Sequence, residues 1–137
     1  MKQHNVSGGQ DLIRRAYQRG LFMEALAASI PPAPDTQTGN CFLVGVLSLL
    51  DKITGNSLEY LLRGMDLPDA MRQALVGRGE NDYARLLRYA VIYEMGNERL
   101  ILPDIRSRLS RDGIVELYLK CMSDTDAALA RMEETNR

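Results

Sequence analysis

The run Cys41-Phe42-Leu43-Val44-Gly45-Val46-Leu47-Ser48-Leu49-Leu50-Asp51-Lys52-Ile53 decides the fold class. Nine of its first ten residues are apolar or glycine, and Ser48 is the one polar interruption before Asp51. Such a run fits either a buried strand or a helix that is hydrophobic all round. Its leucines and its 13-residue length favour the helix, which belongs at the centre of a helical domain. A membrane-spanning helix needs roughly 20 apolar residues, so this one is a core element and not a membrane anchor.

Working outward, a helical period precedes the run. Ile13, Ala16, Tyr17, Gly20, Met23 and Ala27 lie on one side of a helix over residues 10–29, with Arg14, Arg15, Gln18 and Arg19 largely on the other. Pro31-Pro32-Ala33-Pro34 ends it, because proline lacks an amide and disfavours helix in the residue before it. Residues 35–40 supply N-cap candidates for the central helix. Residues 1–9 are polar and glycine-containing, which predicts a flexible N-terminal tail.

After the central helix, Thr54-Gly55-Asn56-Ser57 reads as stop, turn and restart, with Ser57 capping a short helix over 58–63. A second short helix is expected from Asp66, with Asp69 as its capping partner and Gly77 and Gly79 closing it. Asn81–Met95 reads as a long helix with a narrow polar stripe at Arg85, Arg88 and Glu94. Leu100-Ile101-Leu102 has the look of a strand but no second strand to pair with, so a loop into a short helix at 103–109 is expected. The last helix runs from near Asp112 to about Glu134, its apolar stripe thinning beyond Asp124. The expectation is an all-α fold, a compact bundle of about seven helices around 41–53, forming a single domain over residues 10–134.

The 137 residues suit one domain with an ordinary core. A net charge of -1 gives no electrostatic case for nucleic acid, which wants a basic face. The clusters Arg14-Arg15-Arg19 and Arg106, Arg108, Arg111 read as solvated helix faces. Cys41 and Cys121 sit in apolar helical patterns without a CxxC pair, as buried reduced thiols of a cytoplasmic protein would. The N-terminal residues show no secretory h-region.

Residues that carry chemistry are scarce. The one histidine, His4, lies in the polar tail, which removes most imidazole-based metal sites and histidine-dependent catalysis. Asp66 and Asp69 are explained by capping, Asp124 and Asp126 point apart on a helix, and Glu133-Glu134 is a terminal charge pair. Gly77-Arg78-Gly79 follows no strand and is weak as a phosphate loop. Ser48 has no local base and is expected to bond the carbonyl one turn back.

Several segments, in order, resemble one family. Arg19-Gly20-Leu21-Phe22-Met23-Glu24-Ala25-Leu26-Ala27 resembles the "RxxFCELLA" helix of HDOD domains, in particular those of bacterial EAL–HDOD signalling proteins. Phe42 to Asp51 is similar to the "FLVGLLSLLD" of that subfamily, Gly55 to Leu62 to its "GxPLEELL", and Leu67 to Arg78 to its "LPLSEEIRxALLGR". Glu94-Met95-Gly96-Asn97 looks like its "ERGD". The resemblance covers residues 11–130.

HDOD domains are similar in fold to the HD phosphohydrolases, whose corresponding helix carries a metal-binding His-Asp pair within "LLHDIGKL". On this chain Leu47 and Lys52 keep their places, Ser48 stands at the histidine position, Leu49 at the aspartate position, and Asp51 replaces glycine. A hydroxyl and a leucine cannot hold a divalent cation in the way imidazole and carboxylate do. The resemblance therefore implies a partial HDOD-like domain with no catalytic residues, no metal and no cofactor. It implies a regulatory module acting through protein–protein contact in cyclic-di-GMP or two-component signalling, with a protein partner or a fused EAL domain. The N-terminal helices of a full HDOD domain would precede this chain, and their absence predicts an apolar face and a homodimer. The alternative is a nucleotide-binding protein or enzyme whose site lies outside the lost metal positions.

Overall fold

A computed structural model describes residues 2–29, 38–78, 80–96 and 110–135, with side chains from Gln10 onward, those of Thr38 and Thr135 excepted. In order they form α1 (Lys2–Ser29), α2 (Thr38–Leu47), α3 (Leu50–Thr54), α4 (Leu58–Arg63), α5 (Asp69–Leu75), α6 (Asp82–Glu94) and α7 (Arg111–Thr135). The described residues are all-α, with no strand among them. None of these helices is long and apolar enough to cross a membrane.

The hub is α1, which shares the centre with the apolar run. At 28 residues α1 reaches roughly 40 Å, enough to touch α2, α3, α6 and α7 along its length. Phe22, Met23 and Leu26 of α1 are wholly buried, and around them close Cys41 and Val44 of α2, Leu62 of α4, Met71 of α5, Tyr89 of α6 and Ile114 of α7. The Phe22 ring meets Tyr118 of α7 edge-on at 5.0 Å and lies 5.4 Å from Tyr93 of α6, which ties three helices to one ring. α1 starts at Lys2 and not near Gln10. The His4 backbone is part of this helix, and its side chain lies outside the described residues.

The apolar run is also not one helix. α2 ends at Leu47 and α3 begins at Leu50, so the expected helix 41–53 is divided. Ser48 is the cause: its hydroxyl donates to the Gly45 carbonyl at 2.7 Å, and the Leu49 amide turns to Val46 O at 3.5 Å, a tighter i→i−3 contact. Nor is the run buried all round, since Leu43 is 37% exposed.

α1 and α2 cross backbone to backbone. A methyl group on Gly45 would stand 2.6 Å from the Gly20 Cα, and one on Gly20 would stand 2.7 Å from the Phe42 carbonyl oxygen. No side chain fits between the helices at this point.

Local signals set most of the remaining ends. Gly55 takes φ 80° and its amide returns to Asp51 O, while the Ser57 hydroxyl accepts from the Tyr60 amide at 3.2 Å and starts α4. Asn81 caps α6 by accepting from the Ala84 amide at 3.0 Å, and its Nδ2 donates to Ala70 O of α5. Asp66 does not begin a helix. Pro68 keeps Leu67 out of the helical region, so α5 starts at Asp69, whose carboxylate accepts from Gln73. Gly77 does close α5, at φ 78°. The strand-like Leu100–Leu102, the short helix at 103–109 and Gly79 lie outside the described residues.

Replacing Gly45 by alanine is expected to lower stability by about 3 kcal/mol, because backbone atoms cannot step aside as a side chain can. Urea unfolding checks it; a loss under about 1 kcal/mol would mean that the crossing is loose.

Cys41 and Cys121 are free and buried, and burial pushes each thiol from 9.0 up to about 11, with Asp82 and Asp124 respectively adding to it. A raised thiol keeps its proton longer in the folded state, so its contribution is intact below about 9 and is lost as pH rises toward about 11. Both thiols are expected to resist a disulfide-exchange reagent at pH 8 until denaturant is added, and stability to fall between pH 9 and pH 11.

Candidate functional site

The three arginines grouped in the sequence separate in the fold. Arg14 and Arg15 are exposed, as a solvated face requires, but Arg19 is only 9% exposed. Arg19 stands three residues after Ala16, three before Phe22 and four before Met23, so helical geometry aims it into the core. That register was the signal available in the sequence, and a charge at a core position demands a partner.

The partner is Glu94, at the end of α6. Arg19 Nε donates to Glu94 Oε2 at 2.9 Å and Nη2 to Oε1 at 2.8 Å, a two-pronged pair in which the side chains retain 10% and 15% exposure. The third prong, Nη1, donates to Ser48 Oγ at 2.9 Å, and Ser48 in turn donates to Gly45 O. One guanidinium thus joins α1, the α2–α3 break and α6. The solvated-face reading is wrong for Arg19 because α6 folds back over this face of α1.

Ser48 is therefore held by two bonds. Its side-chain partner is a guanidinium, which has no lone pair with which to take a proton. Leu49 is 2% exposed. Asp51 lies in the first turn of α3, and one of its carboxylate oxygens is buried with no hydrogen-bond partner among the described residues. Among the described residues no three His, Cys, Asp or Glu side chains come together as a metal site would need. Two further acids are paired at the surface: Asp124 with Lys120 at 3.1 Å, and Asp126 with Arg14.

Above the Arg19–Glu94 pair opens a groove of about 410 Å³ between α1, α6 and α7. Its α1 wall carries Arg14, Arg15, Gln18 and Arg19, and Tyr118 of α7 closes the far side. Burial, and next the charge of Glu94, raise the Tyr118 phenol above its ordinary value, while a hydrogen bond from Gln18 works the other way. Nothing in the spacing of the sequence marks this groove, since its walls come from segments brought together only by the fold.

No family model matches the chain, and no solved structure matches it. The chain is similar to the uncharacterized protein YuxH of Bacillus subtilis, 25% identical over 116 residues. That match covers 85% of this chain and 27% of YuxH, so the chain spans about a quarter of the relative's length.

Arg19→Ala is expected to cost about 3 kcal/mol or more, since it leaves the Glu94 carboxylate sunken and unpaired. Replacing both by apolar residues of similar size, Arg19→Met with Glu94→Leu, should cost much less than the two single losses summed. Equal, additive losses in a double-mutant cycle would show that the two groups are not coupled.

Proposed function

We propose that this chain is a non-catalytic HDOD-like regulatory module, acting by protein–protein contact in cyclic-di-GMP or two-component signalling. The observation that carries the reading is the state of Ser48 and Leu49, the positions that the resemblance gives to a metal-binding His-Asp pair. Ser48 spends its hydroxyl on Arg19 and Gly45, and Leu49 is buried apolar surface. An ion pair, Arg19 with Glu94, occupies the neighbourhood of those positions and ties the same helices together.

In this reading the protein works in the cytoplasm and its partner is a protein: a fused EAL domain, a separate signalling protein, or a second copy. Apolar side chains at the surface fit such a role. Ile13 on α1 and Met132 on α7 are each 47% exposed, and Leu119 is 57% exposed.

The purified chain, supplied with manganese or magnesium, is expected neither to hydrolyse cyclic-di-GMP nor to retain stoichiometric metal. Deleting its gene is expected to change cellular cyclic-di-GMP or a two-component output, and the re-expressed chain to restore it. Metal-dependent hydrolysis with bound metal would overturn the non-catalytic part. An unchanged signalling output would overturn the regulatory part, and a monodisperse monomer in light scattering would remove the second copy as partner.

A further inference from the structure

The groove between α1, α6 and α7 holds more hydrogen-bond donors than its own acceptors use. Among the described residues Arg15 has one ionic neighbour, Asp11, at 3.6 Å, too far for a hydrogen bond, and its side chain is 55% exposed. Arg14 pairs with Asp126 in the open, at 46% and 65% exposure. Ion pairs so exposed hold their partners weakly and exchange them readily. At the floor, Glu94 is already consumed by Arg19, which keeps N–H groups beyond the three bonds that it makes to Glu94 and Ser48. Each of the three arginines has one acidic neighbour among the described residues, and the two exposed pairs, Arg14 with Asp126 and Arg15 with Asp11, are the ones a competing anion can open.

The opposite wall has a different character. Val91 of α6, Met95 just beyond its end and the Tyr118 ring present apolar and aromatic surface, and Met95 is 68% exposed. This wall includes the C-terminal end of α6, the negative end of the helix dipole, which keeps an anion on the α1 side. A guanidinium fork suits the oxygens of a phosphate, and an aromatic wall suits a planar ring. A volume of about 410 Å³ lies within the usual range for small-molecule sites.

We propose that this groove binds a phosphate-bearing ligand of mononucleotide size, with its phosphate between Arg14 and Arg15 and its ring against Met95 and Tyr118. The site uses neither Leu49 nor the Ser48 hydroxyl, so it stands apart from the regulatory reading and either can fail alone.

The test is calorimetric titration of the whole chain with AMP, GMP and inorganic phosphate, with amide chemical shifts followed in parallel. A mononucleotide is expected to bind more tightly than phosphate and to shift the signals of Gln18, Met95 and Tyr118. Arg14→Ala with Arg15→Ala should weaken it at least tenfold. Arg63→Ala, in the separate groove between α4 and α5, should leave it unchanged and controls for general loss of positive charge. Both arginines of the pair are exposed, so the double variant should fold, which its unfolding curve checks. No binding of either nucleotide at millimolar concentration overturns the proposal. So does binding that the double variant keeps, or phosphate binding as tightly as the nucleotides, which would reduce the site to a surface anion contact.

Discussion

The polar contacts that join Arg19, Ser48 and Glu94 at the centre of this protein depend on two glycines. Gly20 and Gly45 let α1 and α2 approach until their backbones touch, with no room for a methyl group on either. The approach has a consequence one residue away. Arg19 precedes Gly20 and Ser48 follows Gly45 by nearly one turn, so the close crossing brings the guanidinium within 2.9 Å of the hydroxyl. A wider crossing, of the usual 8–10 Å between helix axes with side chains interposed, would leave Arg19 short of Ser48 and its charge unsupported on that side.

The Arg19–Glu94 pair is best understood as a specifier of arrangement. Two charges taken out of water lose about as much as they regain from each other, so apolar packing could match their net contribution to stability. What apolar packing could not supply is direction. A guanidinium with three fixed prongs accepts one placement of α6 and one conformation at the α2–α3 break. The break has its own local cause in Ser48, and the pair gathers that local feature into the tertiary structure.

The same pair bears on function. A histidine and an aspartate at positions 48 and 49 would be the start of a metal site; a serine bonded to arginine and a buried leucine are components of a core. The bundle keeps a charged centre, with no cluster of three metal-ligating side chains among the described residues, and its less occupied donors, on Arg14 and Arg15, face a groove. Regulation by contact and recognition of a phosphate-bearing molecule are compatible uses of such a scaffold, because one draws on exposed apolar residues and the other on a concave basic wall.

What the sequence by itself determined is what neighbours in the chain decide. The helical class follows from apolar spacing; Ser57 and Asn81 cap helices because their side chains reach amides three residues on, and Ser48 bonds a carbonyl three residues back. The thiols were readable as buried from their apolar neighbours. The division of the apolar run at Ser48 was within reach, since the back-bond that breaks it was expected. Only the tertiary structure decided that α1 is the hub, that Arg19 is a core residue, and that a groove opens beside it. Arg19 and Glu94 are 75 residues apart, and Gly20 and Gly45 show their purpose only when the two helices cross. Making these contacts costs the entropy of closing long loops onto one geometry, and no local pattern in a chain records which distant segment will arrive.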